Sequence, residues 1–423
     1  PLTAGILSYY VPRSDGSIML YDLAGHLEYY SSHSSCLEAL SQSTPSTFLT
    51  LADISAELED LKTQLSYWSA MIGNVCSKCP QPSEVIVIGT HADKVKDKAE
   101  LSTRCSLLQS HADEAVKKAK QHFAGFIGLN VIDYQSAEMK TFILQLLETN
   151  VVVRKRCPAI SLKCHVLYAL LKEKVPNDRA AMTLSALLQL LDTVKDHGLN
   201  TSISEITSYL TTLSDKGLIT FFPDADPSDS WIVLRSDVLL EKVNGILFAP
   251  AFFKEHRHCL VSNTGIIPTS ELQKIFPEYD IKMIVQFLFH CELCQPVVDT
   301  TDTSKTLSDC VFFPCLVSAT QPNDAIIHPS SFVWQMYTPS GSEFFTPRCL
   351  HALMRRLANQ FTMPSEEFKH DEEIHCFSRR CQVWTRAIAW RDKLAIHFVV
   401  EMDKSLQCLS FAVSAEKNKN NPQ

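Results

Sequence analysis

The stretch SEVIVIGTHADK constrains the fold of this chain more than any other segment. Residues 85–88 are four consecutive β-branched residues with polar sequence on both sides. A strand buried on both faces has such a continuous apolar run, whereas a half-exposed strand alternates apolar and polar residues. Strands of this kind belong to parallel sheets whose connections are helices. The sequence therefore predicts a parallel sheet covered by helices around this segment.

The sequence before this strand supplies further elements of the domain. Residues 5–12 and 17–22 are rich in β-forming residues and flank the turn-forming RSDG, which predicts an antiparallel hairpin. A third strand is predicted over 46–55. Residues 55–73 carry apolar side chains at helical spacing, so strand and helix form a βα unit.

The sequence after the buried strand continues the alternation. We expect a charged helix over 96–122, a short strand over 129–133 and a helix over 138–149. Alternating strands and helices, with one antiparallel hairpin at the start, predict a doubly wound α/β domain over residues 1–150. In such domains the ligand binds at the carboxyl ends of the strands.

The pattern changes after this domain. Three helix-like segments precede a strand-like end that follows Gly217, and TSELQKIFPEYDIKMIVQFLF begins a similar arrangement, so winged-helix-like units are expected over 160–300. Over 301–415, strand-like segments surround one helix, LHALMRRLANQF, which indicates an α+β domain. Residues 416–423 form a polar tail.

Charge and hydropathy exclude two classes of partner. The chain has 39 basic and 47 acidic residues, a net charge of −8, which argues against nucleic-acid binding. The helix DIKMIVQFLFHCELC is apolar rather than basic, which favours a role in packing or protein contact over DNA recognition. No apolar run reaches the length of a membrane span, and the first residues do not resemble a secretory signal. These features predict a soluble, cytoplasmic protein.

The fifteen cysteines lie mostly in apolar contexts, which favours reduced thiols. Two Cys-x-x-Cys pairs occur, Cys76 with Cys79 and Cys291 with Cys294. Together they could supply four zinc ligands, but the pairs are far apart in sequence. We therefore interpret them as ordinary thiols.

Three residues suit the phosphate side of a nucleotide. Asp22 follows a predicted strand and precedes Gly25 by three residues, so a carboxylate could hold a water on Mg²⁺ while the glycine amide reaches the γ-phosphate. Thr3 lies upstream of the hairpin, where its hydroxyl could contact Mg²⁺. The alternative is that Asp22 and Gly25 form a simple turn.

Further residues suit the base. Thr90 and Asp93 follow the buried strand, where the carboxylate could accept two hydrogen bonds from a guanine edge that adenine cannot supply. Ser136 and Ala137 could offer a backbone amide to the guanine oxygen. The alternative for Asp93 is a cap on the lysine-rich helix that follows.

Taken in order, these stretches resemble the Roc GTPase domain of the Roco family. TAGI, LYDLAGHLEYYSSH, VIGTHAD and QSAE are similar to its successive motifs. DSWIVLRSDVLLEKVNGILFAP and SGSEFFTPRCLHALMRRL resemble segments of the COR domain that follows Roc. The resemblance implies a Ras-like Roc domain over 1–150, a COR N-terminal half over 160–300 and a COR C-terminal half over 301–415.

The resemblance also implies residue roles. Thr3 becomes the switch I threonine, and Asp22 and Gly25 belong to switch II. His26 stands where Ras-like proteins carry a water-orienting glutamine, so it is the implied catalytic residue and turnover could be low.

On the base side, Thr90, Asp93 and Ala137 are implied to read guanine. His91 replaces the lysine whose stem normally covers the base, and an imidazole can stack there.

One motif of the family is absent. None of the twelve glycines is followed by lysine, so the sequence contains no G-x-x-x-x-G-K-[ST] phosphate loop. The chain begins at Pro1 without a methionine, and we expect that the loop and the first strand lie upstream. The alternative is a degenerate chain that never held the loop. As given, the polypeptide is expected to bind GTP poorly and to be inactive.

Two functions follow for the complete protein. The first is a GTP-binding regulatory switch that binds GTP or GDP with Mg²⁺, hydrolyses GTP slowly and signals through COR-mediated dimerisation. The second is a nucleotide-free Roc-COR scaffold for dimerisation and protein interaction.

Overall fold

A computed structural model shows a mixed α/β protein. In the part of the chain that it describes there are eleven α-helices and five small sheets. The chain divides into two compact units, Leu37–Ser236 and the combination of Pro1–Cys36 with Asp237–Gln423. The structure describes residues 6–13, 16–23, 30–41, 44–157, 159–175, 179–194, 202–246, 265–296, 310–317, 332–337, 347–360, 376–378, 381–384, 387–391, 396–403 and 408–415.

The predicted hairpin is confirmed. Strand β1 (Ile6–Arg13) pairs antiparallel with β2 (Gly16–Leu23), and Leu7 lies opposite Asp22. Among the described strands the hairpin is a two-stranded sheet of its own, and it groups with the unit formed by both ends of the chain. The expected place of the hairpin, at the start of the parallel sheet, is therefore not observed.

The parallel sheet predicted from the β-branched run is confirmed. It contains β3 (Thr47–Asp53), β4 (Glu84–Thr90) and β5 (His122–Gly128), all parallel, with β4 in the centre. Every residue from Glu84 to Gly89 is buried.

The core explains why β4 lacks alternation. Val85 and Val87 pack in one cluster with residues of the helices α2 (Leu58–Val75) and α3 (Lys98–Lys118). Ile86 and Ile88 pack in a second cluster with residues of α4 (Ala137–Arg156). Because both faces are covered, apolar side chains are needed at every position.

One strand prediction is wrong. We expected a helix to residue 122 and a strand over 129–133, but α3 ends at Lys118, β5 occupies His122–Gly128, and 129–133 lie in the turn that follows. The strand HFAGFIG contains glycine and alanine, which have low strand propensity. Its pairing with β4 overrides that propensity, with an irregular register near Gly125, whose φ is +144°.

The rest of the unit Leu37–Ser236 contains the three helices predicted after the α/β domain and the strand predicted to follow Gly217. Gly217 has a φ of +70° and allows the chain to turn from the last helix into a strand. The three short strands form an antiparallel sheet in the order β6-β8-β7. The elements are α5 (Leu162–Lys174), β6 (Ala181–Thr183), α6 (Leu184–Thr193), α7 (Ile203–Asp215), β7 (Thr220–Phe222) and β8 (Trp231–Val233).

The other unit holds the second helix pair and a larger antiparallel sheet. Its six strands run in the order β12-β17-β16-β15-β14-β13, and the one predicted helix, α11, packs against this sheet. The sheet strands are β12 (Phe332–Tyr337), β13 (Cys376–Ser378), β14 (Cys381–Trp384), β15 (Ala387–Arg391), β16 (Ile396–Met402) and β17 (Cys408–Ala415). The remaining elements are α1 (Tyr30–Ser41), which spans the boundary of the units, α8 (Ser236–Ile246), β9 (Ile266–Pro268), α9 (Thr269–Ile275), α10 (Ile281–His290), β10 (Gln295–Pro296), β11 (Cys310–Phe312) and α11 (Pro347–Gln360).

Within the described ranges, every helix is too short or too polar to cross a bilayer. The predicted tail, residues 416–423, lies outside the described residues. The predicted domain boundaries stay predictions.

Candidate functional site

The carboxyl edge of the parallel sheet brings several predicted residues together. Asp53, the last residue of β3, pairs in register with Thr90, the last residue of β4. The Thr90 hydroxyl donates to the Ala52 carbonyl at 3.2 Å, and the Thr90 carbonyl accepts from Ile54 N at 3.0 Å. These bonds hold the end of β4 to the neighbouring strand, so the following turn starts from a defined position.

The turn after β4 has an unusual backbone. His91 adopts φ 58° and ψ 32°, the left-handed region that few residues other than glycine occupy. Ala92–Lys94 form a single 3₁₀ turn, closed by Lys94 N donating to His91 O at 3.0 Å. Ala92 N donates to Leu129 O at 3.5 Å, which joins this turn to the end of β5. Such backbone outliers occur often at functional sites, and this one places Asp93 on the surface.

Asp53 is a site residue that the sequence reasoning missed. Its Oδ1 accepts hydrogen bonds from Ser55 N at 3.0 Å and Ser55 Oγ at 2.6 Å. Its Oδ2 lies 3.9 Å from both His91 Nε2 and Lys94 Nζ. The carboxylate therefore faces the basic groups of the turn. The sequence offered one signal, an acidic residue at the end of the third strand, but only the strand register aligns it with Thr90.

The pKa of Asp53 reflects this environment. Partial burial acts to raise it, but the hydrogen bonds from Ser55 and the charges of His91 and Lys94 outweigh burial and hold the pKa below its usual value of 3.8. Asp53 is therefore an anion at neutral pH and attracts the two basic side chains.

The alternative role for Asp93 is wrong. The residue that caps α3 is Asp97, whose side chain accepts a hydrogen bond from Ala99 N at 2.8 Å. Asp93 lies four residues earlier, in the 3₁₀ turn, and is exposed. Helix capping therefore does not explain an acidic residue at this position.

Ser136 and Ala137 lie at the start of α4. Ser136 is the N-cap, and its hydroxyl accepts from Met139 N at 3.1 Å. Ala137 is the first helical residue, and its amide belongs to the group that helix geometry leaves without an intrahelical acceptor. The loop before the cap is ordered by Asn130, whose side chain accepts from Ile132 N at 3.1 Å, and by Asp133, whose side chain accepts from Gln135 N at 3.2 Å.

The residues predicted for the phosphate side are only partly described. Thr3, Gly25 and His26 lie outside the described residues. Asp22 lies inside β2 and is exposed, in a different unit from Asp93. The base-side residues are thus gathered on one sheet edge, whereas Asp22 is described separately from them.

Mg²⁺ fits the donor chemistry of the predicted residues. It prefers oxygen ligands and is commonly bound by one or two carboxylates together with waters and phosphate oxygens. The exposed carboxylate of Asp22 meets that requirement, and Thr3 would add a hydroxyl. For the stretches of chain that are described, no group of three or more His, Cys, Asp or Glu side chains could hold a metal by itself. The two Cys-x-x-Cys pairs lie in different units.

An open groove of about 590 Å³ runs between α4 and β5. It is lined by residues such as Ala124, Leu144 and Gln145, and none of the predicted site residues contributes to it. This groove and the predicted site residues therefore lie in different places. The carboxyl edge is the better candidate site, because ligands of parallel α/β sheets bind there.

Comparison with known proteins leaves the family open. No family model matches this chain, and no curated protein sequence matches it significantly. Assignment of a function therefore depends on the motifs and on the geometry of the carboxyl edge.

Proposed function

We propose that this chain is the Roc-COR region of a Roco-type protein that works as a GTP-binding regulatory switch. The complete protein would hydrolyse GTP slowly and signal through COR-mediated homodimerisation. The observation that carries the proposal is the turn Thr90–Lys94. It follows the central strand β4, which is buried on both faces, and it presents the exposed carboxylate of Asp93 at the sheet edge where ligands bind.

The base would be recognised by this turn. Asp93 can accept two hydrogen bonds from the N–H groups of guanine, and adenine lacks that pair of donors on the same edge. The amide of Ala137 would contact the guanine oxygen, while His91 would stack beside the base. Asp53 would assist this arrangement, because its carboxylate lies 3.9 Å from His91 Nε2 and Lys94 Nζ and attracts both side chains.

The phosphate side of the proposal depends on the resemblance. Thr3 and Asp22 would hold Mg²⁺, Gly25 would contact the γ-phosphate, and His26 would orient the attacking water. When bound, Mg²⁺ would neutralise part of the negative charge of the phosphates. Because the sequence contains no phosphate loop, we expect this polypeptide to bind the base weakly and to hydrolyse GTP little or not at all.

A base-specific binding experiment tests the proposal. Alanine-methyl NMR of the full chain would be recorded with guanosine, adenosine and xanthosine, because Ala92 and Ala137 flank the proposed base site. Guanosine should shift both methyl signals, and adenosine should not. Asp93→Asn should transfer the response from guanosine to xanthosine, since the amide reverses one hydrogen-bond requirement.

Asp97→Asn is the matched control, because it alters an acidic residue four positions away that caps α3. It should retain the guanosine response. Equal shifts with adenosine, or an unchanged preference in Asp93→Asn, would refute base recognition by this turn.

The nucleotide-free scaffold is the competing proposal, and one observation favours it. Strand β12 lies at the edge of its sheet among the described strands and exposes apolar side chains: Phe332, Trp334 and Tyr337 are 78%, 63% and 63% exposed. Apolar edge strands are frequent association surfaces. A scaffold predicts a self-association constant that is unaffected by GTP and Mg²⁺ in sedimentation. It also predicts no rise in melting temperature, whereas a ligand at 100 times its Kd would stabilise by about 2.7 kcal/mol.

A further inference from the structure

The first Cys-x-x-Cys pair lies at the end of α2, near the amino edge of the parallel sheet. The proposed base site lies at the carboxyl edge. Cys76 ends the helix, and Cys79 N donates to the Cys76 carbonyl at 2.9 Å across the short 3₁₀ turn Cys76–Lys78. A turn closed in this way brings its first and last Cα atoms within about 7 Å. A disulfide can span nearly all of that range of Cα separations.

The two thiols have different surroundings. Cys76 is 3% exposed and its Sγ lies 3.4 Å from Ser83 Oγ. Cys79 is only partly buried, and its Sγ lies 3.6 Å from the Thr44 carbonyl oxygen. The hydrogen bond from the Cys79 thiol lowers the pKa of Cys76 despite burial, and the same bond raises the pKa of Cys79. The two thiols therefore influence each other, and their interaction favours the thiolate of Cys76 over that of Cys79.

The second Cys-x-x-Cys pair provides a comparison. Cys291 and Cys294 follow α10 and are both buried. The Cys294 thiol points to the Val285 carbonyl at 3.9 Å, and burial raises its pKa. A thiol that stays protonated reacts slowly with oxidants. The same sequence spacing thus occurs in two environments: the pKa of Cys76 is lowered in the first, and the pKa of Cys294 is raised in the second.

We propose that Cys76 and Cys79 form a redox-active dithiol that hydrogen peroxide converts into an intramolecular disulfide. We name hydrogen peroxide because a small oxidant can reach the Cys76 sulfur, which is almost fully buried beside the more exposed Cys79. The pair is thus a modification site, independent of the proposed nucleotide site.

The reaction has two balanced steps. The Cys76 thiolate attacks one peroxide oxygen, an S–O bond forms, the O–O bond breaks, and the hydroxide that leaves takes up the proton released by the thiol. The Cys79 sulfur then attacks Cys76 Sγ, the S–S bond forms, the S–O bond breaks, and the hydroxyl leaves as water with the Cys79 proton. Two thiols are oxidised by two electrons, and one peroxide is reduced to two waters.

The pair adjoins a network that joins the sheet strands. Ser83, beside Cys76, accepts a hydrogen bond from Ser46 N at 3.0 Å, and its own amide donates to the Gln121 side chain at 2.8 Å. These residues immediately precede β3, β4 and β5. Oxidation would therefore act where the parallel strands begin.

Trypsin offers a direct test, because Lys78 lies between the cysteines. The reduced full chain would be treated with hydrogen peroxide, alkylated and digested. Cleavage after Lys78 separates the two cysteines unless a disulfide holds the peptides together. We expect the linked peptide pair to form at least about tenfold faster than Cys105 or Cys294 is oxidised.

Two variants complete the experiment. Cys79→Ser should stop the reaction at the Cys76 sulfenic acid, which dimedone traps, whereas Cys294→Ser should leave formation of the linked pair unchanged. The proposal is overturned if no linked pair forms, or if Cys76 reacts no faster than Cys105. Circular dichroism checks the fold of each variant, and if Cys79→Ser does not fold, the rate ratio in the unaltered chain decides.

Discussion

The two edges of the parallel sheet use similar charged groups in opposite ways. At the amino edge the Glu84 side chain is 9% exposed, and its Oε1 lies 2.7 Å from Arg156 Nη1 and 3.3 Å from His122 Nδ1. At the carboxyl edge the Asp53 side chain is 43% exposed, and its basic neighbours, His91 and Lys94, are both 3.9 Å away.

The difference distinguishes a structural network from a candidate binding site. The Arg156 guanidinium also donates to the Pro82 carbonyl at 3.0 Å, so Arg156 and the buried carboxylate of Glu84 form a close, hydrogen-bonded pair. The carboxyl-edge groups are exposed and separated by longer distances, so a ligand could compete for them at little cost. Substitutions at the two edges should therefore differ in whether they change stability or binding.

The largest expected effect is at the amino edge. Arg156→Ala removes the closest partner of a buried carboxylate, and breaking such a pair costs about 3 kcal/mol of unfolding free energy. Chemical denaturation measures the loss. Lys155→Ala, an exposed neighbour in the same helical turn, is the control and should change stability by less than about 0.5 kcal/mol. Equal losses in both variants would remove the distinction between the edges.

The next effect concerns packing beneath the carboxyl edge. A Cβ at position 89 would lie 2.9 Å from Phe126 Cζ and 3.2 Å from Ile54 Cδ1. Gly89→Ala should therefore destabilise by about 2 kcal/mol, as overpacking does. Gly128→Ala is the matched comparison, because its Cβ would meet only Cys105 Sγ at 3.2 Å. A smaller loss is expected there, and the reverse order would mean that the backbone under the turn is loosely packed.

A smaller effect separates two roles of Ser136. Ser136→Ala removes the N-cap of α4 and should cost about 1 kcal/mol, but it retains the backbone that would meet a base. We expect a lower melting temperature with an unchanged guanosine response. Ser106→Ala, an exposed mid-helix serine of α3, controls for the loss of a hydroxyl. If a folded Ser136→Ala protein no longer responded to guanosine, the Ser136 hydroxyl itself would take part in guanosine binding.

The smallest effect is the pH dependence from Asp53. Its pKa is lowered in the folded state, so its contribution to stability is present above the unfolded value of 3.8 and is lost as pH falls through the folded pKa. Since the side chain is 43% exposed, screening keeps the contribution below about 0.5 kcal/mol. The stability difference between the unaltered chain and Asp53→Asn should vanish in acid. If the stability difference between the two proteins grew as pH falls, the predicted direction of the pH dependence would be wrong.

Prediction from sequence succeeded where local patterns are strong. The hairpin, the continuous run of β4 and the helices α5 to α7 were predictable, because periodicity and turn residues report them directly. It failed for β5, whose glycine-containing sequence becomes a strand only through pairing with β4. Asp53 was missed for a related reason, since nothing local in LADIS indicates which residue of another strand will lie beside it.

The sequence by itself determined that β4 is buried on both faces and that an acidic turn follows it, because consecutive β-branched residues and the polar THAD allow little else. Only the tertiary structure decided which carboxylates became structural. Glu84 begins β4 and Asp53 ends β3. Arg156, in the last turn of α4, pairs with Glu84, whereas Asp53 stays open at the opposite edge. Burial and strand register depend on residues distant in sequence, and they decide whether a charge stabilises the fold or stays accessible to a ligand.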